Sequence, residues 1–266
     1  MRPLQSIITV VLNGYPHIAQ CIESVVSQKT DSIEFIVIDG GSTDGTLDVI
    51  NAHRHSIDAI ISEPDSGVAQ AFNKGIALAR GDFVAFLNAD DYYEPDALNL
   101  ACQRIDSSAT NTDVFYGAIN YVDDSVDVEY GERPNLARIW DFMSLFHPAT
   151  FVRKQLFAEL GEFSPDYRFA MDSEWFHRAI TQGALFAELD FVVANMRIGG
   201  LSNHHLAASL WEFRRSVAQH RGETIKPLYY FARQYLLHSF IKLPAFKRLL
   251  LARKHRMRAE GFSSRI

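Results

Sequence analysis

The stretch Ser6-Ile-Ile-Thr-Val-Val-Leu12 is an unbroken run of apolar and β-branched residues. A strand with one wet face alternates polar and apolar side chains, whereas a strand covered on both faces reads as a continuous apolar run. Asp82-Phe-Val-Ala-Phe-Leu87 has the same character, and between the two the period switches regularly. Ile18 to Val26 has helical spacing, Glu34 to Ile38 reads as a second strand, and Thr46 to Ala52 as a second helix. Ile57 to Ile61 reads as a third strand and Val68 to Ala79 as a third helix. This alternation predicts an α/β fold: right-handed crossovers, a mostly parallel central sheet and helices on both faces.

Downstream the alternation loosens. Helices are expected over Pro95–Ile105, Leu136–Leu145, Lys154–Leu160 and Asp172–Thr181. Strands are expected over Val114–Tyr116, Ala118–Tyr130 (with a hairpin), His147–Arg153, Leu185–Leu189 and Phe191–Ile198. After Gly199-Gly200 the chain reads as helices over His205–His220, Pro227–Lys242 and Phe246–Arg258.

Composition narrows the class. Of 266 residues, 47% are hydrophobic and 22% charged, which excludes disordered and collagen-like chains, and two cysteines make no disulfide scaffold. Cys21 lies among apolar residues at helical spacing and Cys102 is far away, so a reducing compartment is expected. No run of about 18 apolar residues and no leader pattern stands out, so a cytoplasmic location is expected. The net charge of −6 is unevenly spread. Arg221 to Ile266 holds 11 basic and 2 acidic residues, while the rest holds 15 basic and 30 acidic. An acidic body argues against nucleic acid as a partner and favours metal ions.

In open α/β sheets ligands bind beyond the carboxyl ends of the strands. Those ends carry Asn13-Gly14-Tyr15, then Asp39-Gly-Gly-Ser-Thr-Asp-Gly45, then Ser62-Glu-Pro-Asp-Ser-Gly67, and finally Asn88-Ala-Asp-Asp91. Adjacent carboxylates at Asp90 and Asp91 suit magnesium or manganese, which take one or two protein oxygens and fill the rest of the shell from phosphate and water. They also read as loop or cap residues. The glycines after Asp39 allow a tight turn and close approach of a ligand to backbone. Asp39 is placed to hydrogen-bond a base or ribose, and Asp44 reads as a helix cap. No dinucleotide fingerprint is present, because Asn13-Gly14-Tyr15-Pro16 lacks the glycine series.

Taken together these stretches resemble the family 2 glycosyltransferases of the GT-A fold. The resemblance rests on Ser6 to Asn13, Val37 to Thr46, Ser62 to Gly67, Asn73-Lys-Gly-Ile76 and Gly81 to Asp91. It continues with His147-Pro-Ala-Thr-Phe-Val-Arg153, Gly161-Glu-Phe163 and Ala170-Met-Asp-Ser-Glu-Trp175. It implies a GT-A domain over residues 1–203, with a nucleotide-binding half at 1–105 and an acceptor half at 106–203. A helical, basic extension follows over 204–266. It implies that Val11 and Asn13 line the nucleotide pocket, Asp39 contacts uracil or an equivalent base with Asp65 nearby, and Asp90 bonds the ribose. Asp91 would hold the metal on the diphosphate, and Asp172 would be the catalytic base. Met171 and Asn88 depart from the family's usual residues at their positions.

The chemistry implied is inverting transfer of a sugar from a nucleotide-diphospho-sugar, expected to be UDP-linked, with Mn2+ or Mg2+ as cofactor. The acceptor would be a hydroxyl of a saccharide or lipid-linked molecule, in cell-surface polysaccharide synthesis. Such transfer needs the departing diphosphate neutralised and the acceptor hydroxyl deprotonated. Asp172 opens an apparent helix, whose positive end favours an ionised carboxylate, although a plain helix cap is the alternative. His204 and His205 follow a glycine-bearing loop; imidazole ligates manganese-type ions, which makes His204 a candidate metal ligand beside Asp91. His147 is a candidate for facing the acceptor. Trp175 and Phe176 read as core, and Trp140 as core or sugar platform. The basic, aromatic-rich tail suits either an anionic membrane surface, at the inner face of the membrane, or packing on the acidic body. Competing readings are a non-catalytic nucleotide-sugar-binding protein, a sugar-1-phosphate nucleotidyltransferase, which would need a glycine-rich, arginine-bearing loop after the first strand, and an aspartyl phosphatase, which would need an Asp where Gly41 stands.

Overall fold

The computed structural model describes residues 3–108, 111–124, 128–199 and 205–223. At its centre is strand β1 (Gln5–Val11), all seven residues of which are buried. Parallel neighbours are β2 (Ile33–Asp39) on one side and β4 (Phe83–Asn88) on the other, with β3 (Ala59–Ser62) parallel to β2. Side chains of these strands alternate between two cores. Ile7, Val11, Phe35, Val37, Ala85 and Leu87 pack with α1 (Ile18–Val26), α2 (Thr46–Ala52) and α4 (Ala97–Asp106). Ile8, Val10, Ile36, Ile38, Val84 and Phe86 pack with α3 (Val68–Leu78), α5 (Lys154–Leu160) and α6 (Met171–Thr181). Helices thus cover both faces, which is why the strands are apolar throughout. Gly75 lets α3 lie directly on β1, since a Cβ there would come within 2.3 Å of Ile8 Cγ2.

Beyond β4 the sheet becomes mixed. β8 (Thr150–Arg153) runs antiparallel to both β4 and β6 (Val114–Val122), and β9 (Phe186–Arg197) runs parallel to β6. The edge strand β5 (Tyr92–Tyr93) is antiparallel to β9, and β7 (Val128–Glu132) forms a hairpin with β6. The resulting strand order is β3-β2-β1-β4-β8-β6-β9-β5. The breaks expected at Gly117 and Asp190 are the two sides of one irregularity. Tyr116 pairs with Glu188 but Ala118 with Val192, so β9 bulges there and both segments continue as single strands.

The helix expected over Leu136–Leu145 is replaced by one 3-10 turn at Leu136–Arg138 and irregular chain. Asn135 N–H donates to the Ser144 carbonyl, and Ser144 Oγ donates to the Asn135 carbonyl. Those two residues are held together, whereas a straight helix would separate them by about 13 Å. The first helix of the expected extension is present as α7 (Leu206–Arg221) and packs on α6. His204 and the segments 227–242 and 246–258 lie outside the described residues. Cys21 and Cys102 are both free. Among the described residues no helix is long and apolar enough to cross a membrane.

Candidate functional site

Register brings the carboxyl ends of the parallel strands into one row. Val11 lies opposite Asp39, Asp39 opposite Ser62, and Val10 opposite Asn88. Loops leaving this row are joined to one another. The Gly40 N–H donates to the Val11 carbonyl at 2.8 Å. Asn13, at φ 54°, donates its N–H to Ser42 Oγ (2.7 Å), and its Oδ1 accepts the Thr43 N–H (2.8 Å). Gly14 N–H donates to Thr46 Oγ1 and Tyr15 N–H to Asp44 Oδ2. Asp44 also accepts the Thr46 hydroxyl and N–H, so it caps α2 as the sequence suggests; the Thr46 hydroxyl chiefly lowers its pKa.

Asp39 is fully buried, and its carboxylate organises its own loop. It accepts the N–H groups of Gly41 (3.1 Å) and Ser42 (3.2 Å) and the Ser62 hydroxyl (2.6 Å). Gly41 sits at φ +88°, where a side chain would be strained. Asp65 stands beside this loop. Its Oδ2 would lie 3.3 Å from a Cβ on Gly40, and its Oδ1 is 2.5 Å from Lys74 Nζ, which also pairs with Glu63 at 2.8 Å. Val11, Asn13, Asp39 and Asp65 therefore occupy one neighbourhood.

Asp90 and Asp91 form the turn from β4 into β5. Asp91 is 2% exposed. Its Oδ1 accepts the Arg197 N–H at 3.0 Å, and its Oδ2 accepts Asn88 Nδ2 at 3.3 Å. Asn at 88 thus supplies a donor to Asp91 where an acid would add a third negative charge. Burial and, next, the charge of Asp90 push the Asp91 pKa well above the usual carboxylate range. Arg197, at the end of β9, fixes Asp91 through its backbone while its guanidinium donates to the Asp123 carbonyl and to Gln20 Oε1. The sequence reading misses Arg197; the signal was a cation closing a long apolar strand. Among the described residues no three His, Cys, Asp or Glu side chains gather as a metal-binding group.

Asp172 lies in the first turn of α6, whose N-cap Ala170 offers no side-chain cap. Its Oδ1 accepts the Ser173 N–H at 2.7 Å. Burial raises its pKa, outweighing the Ser173 hydrogen bonds and working against the helix-end effect expected from sequence. The described hydrogen bonds connect Asp172 neither to the Asp39 loop nor to Asp91. His147 turns away from the surface. Its ring packs against Phe72 (5.0 Å), Phe86 (4.9 Å) and Phe163 (5.8 Å), and burial lowers its pKa to about 3. Trp175 and Phe176 are core, and Trp140 is stacked on His177 at 4.6 Å. His177 is itself neutral and buried, with its pKa lowered by burial to about 4. Its Nε2 donates to the Ile139 carbonyl, so its Nδ1 accepts the Ser216 hydroxyl of α7.

Known proteins share this fold. The sequence pattern of the family described as Glycosyl transferase family 2 matches residues 6–221, through α7. A PGL/p-HBAD biosynthesis glycosyltransferase of Mycobacterium bovis is 33% identical over 207 residues, spanning 76% of this chain and 80% of the relative. Among solved structures, S. aureus TarS 1-349 in complex with UDP superposes with a TM-score of 0.64 at 21% identity, over 89% of this chain and 71% of that one. The mannosyltransferase PcManGT from Pyrobaculum calidifontis, in complex with GDP-Man and Mn2+, gives 0.62 at 20% identity, over 100% and 77%. These likenesses establish the GT-A fold, and with a family pattern covering most of its length the chain belongs to glycosyl transferase family 2.

Proposed function

We propose that this glycosyltransferase moves a sugar, with inversion, from a UDP-linked donor to a hydroxyl of a saccharide or lipid-linked acceptor, in the synthesis of a cell-surface polysaccharide or glycolipid. The observation that supports the reading is the row of strand ends, with Val11, Asp39 and Ser62 in register, Asn88 opposite Val10, Asp65 at the Gly40 turn and Asp91 three residues past Asn88. Solved neighbours with UDP, or with GDP-Man and Mn2+, support a nucleotide-sugar donor.

The residues present fit a divalent cation. Burial and, next, the neighbouring Asp90 carboxylate raise the Asp91 pKa, against a smaller lowering by the Arg197 charge, and the guanidinium of Arg197 hydrogen-bonds the Asp123 carbonyl and Gln20 rather than the Asp91 carboxylate. Asp91 would hold the ion, with His204 as a further candidate ligand. When bound, Mn2+ or Mg2+ neutralises charge on the departing diphosphate. Val11, Asn13 and Asp39 shape the nucleotide pocket, and a base reaching Asp39 takes a place now held by the Ser62 hydroxyl. Asp90 bonds the ribose. Asp172 takes the proton of the acceptor hydroxyl; its upward-shifted pKa moves it toward the pH at which a base works best. With one base and no carboxylate nucleophile assigned, direct attack at the anomeric carbon inverts configuration. The basic residues after Arg221 support a station at the inner, cytoplasmic face of the membrane, where a lipid-linked acceptor resides.

The test is a screen of UDP-, GDP- and TDP-linked hexoses with manganese. Thermal stabilisation and nucleotide release are scored together, and the product anomer is read by NMR. UDP-sugars should stabilise the protein and release UDP in a chelator-sensitive way. Stabilisation by none of them, or a product that retains configuration, would overturn the reading.

A further inference from the structure

Helix α7 reaches back to the loop that precedes Asp172. Glu212 accepts three successive backbone N–H groups with one carboxylate: Arg168 at 3.0 Å on Oε1, and Phe169 at 2.7 Å and Ala170 at 2.9 Å on Oε2. Ala170 is the N-cap of α6 and brings no capping side chain of its own. Donors just ahead of a helix need partners, and a carboxylate at that end is favoured by the helix dipole. Here the partner comes from 42 to 44 residues downstream. Glu212 is itself held on a locked element. Ser216 donates to His177 of α6, and His220 pairs with the buried Glu174 of α6 at 3.0 Å.

We propose that Glu212 is a positioning residue for Asp172: its carboxylate fixes the Arg168–Ala170 loop, and with it the first turn of α6, so that the Asp172 carboxylate meets the acceptor hydroxyl in a single orientation. This rests on the reading of Asp172 as the base. The Asp172 pKa is raised chiefly by burial, against the Ser173 hydrogen bonds, and the Glu212 charge adds the smallest of the contributions in the same upward direction. Positioning errors of this kind cost up to about 100-fold in rate.

The experiment compares Glu212→Gln, Glu212→Asp and Asp172→Asn with the full-length wild type. UDP affinity with manganese is measured by calorimetry, and nucleotide release is measured from the sugar nucleotide that the screen identifies. Glu212→Gln replaces one of the two acceptor oxygens by an NH2 group facing N–H donors. Its kcat should fall by about 10- to 100-fold with UDP affinity unchanged. The acid limb of its kcat profile should move to lower pH, since a negative charge near the base is lost. Amide exchange at Arg168–Ala170 should quicken. Glu212→Asp keeps the charge but shortens the reach, so kcat should fall with the limb in place. A Glu212→Gln enzyme with wild-type kcat and an unmoved limb overturns the proposal, as does a loss matched by weaker UDP binding and a lower Tm. Wild-type turnover by Asp172→Asn would instead remove the base assignment itself, and this proposal with it.

Discussion

The two halves of the molecule hold their chemistry in different ways. In the half proposed to bind nucleotide, β1, β2 and β4 are parallel and buried on both faces, with the half-buried β3 at the edge, and the loops beyond them are joined by hydrogen bonds between strand ends such as Asn13 to Ser42 and Thr43. In the other half the strands are mixed, and the helix bearing Asp172 is held by polar groups of α7: the buried Ser216 and the half-buried Glu212 and His220. In the first half the proposed site sits on strand ends whose loops are hydrogen-bonded to one another; in the second it sits on a helix start held by another helix. Damage to the first should appear as lost donor binding, and damage to the second as lost turnover.

The largest expected effect breaks the nucleotide half. Asp91→Ala should abolish manganese-dependent UDP binding in calorimetry, and an unchanged affinity would remove the metal role from that carboxylate. Next, Asp172→Asn should leave UDP affinity intact and cut nucleotide release by about 100-fold or more, the scale of a general base. A fall in UDP affinity instead would erase the contrast between the halves.

A third effect concerns acid. The His147 pKa falls from the ordinary 6.5 to about 3, so between those values the unfolded chain binds a proton that the folded chain does not. Its contribution to stability is therefore full above pH 6.5, declines as pH drops below it, and levels off near 3. At pH 5 the loss is about 2 kcal/mol, roughly 30-fold in the folding equilibrium. His177, lowered to about 4, acts in the same direction, whereas Asp91 and Asp172, shifted upward, act in the opposite one. The readout is thus a difference: urea midpoints of His147→Phe should decline less between pH 7 and 5 than those of the wild type. Parallel curves would show that His147 does not titrate as a buried group. The smallest effect is that of Asn13→Ala, which unpins the two donor loops and should raise the UDP Kd about fivefold, the worth of roughly 1 kcal/mol.

This contrast also explains what could be read in advance. β1, β2, β4 and α1 to α3 are legible because their apolar periods are set by burial on one or both faces. The placement of Asp39 at the end of β2 and of Asp91 just past β4 is legible because the apolar runs stop there, and the proposal that they meet ligand rests on the general behaviour of such strand ends. Leu136–Leu145 is misread because its helical spacing serves contacts to His177 and a closed loop between Asn135 and Ser144. Glu212 and Arg197 escape because their partners (backbone N–H groups for Glu212; Asp91, the Asp123 carbonyl and Gln20 for Arg197) lie far away in sequence, which no local pattern encodes. His147 is expected to open a strand and face the acceptor, whereas it starts a 3-10 turn and its ring packs among Phe72, Phe86 and Phe163, contacts that no local pattern encodes.

The cross-joined loops at Asn13–Tyr15 and Gly40–Thr46 have an evolutionary corollary. Each exchanges donors and acceptors with the other, so neither can be redesigned alone. Transplanting one of them from a relative with a different nucleotide preference should fail, while transplanting the pair should succeed. In lineages that drift, residues 13, 42, 43, 44 and 46 should change in concert as one inherited unit.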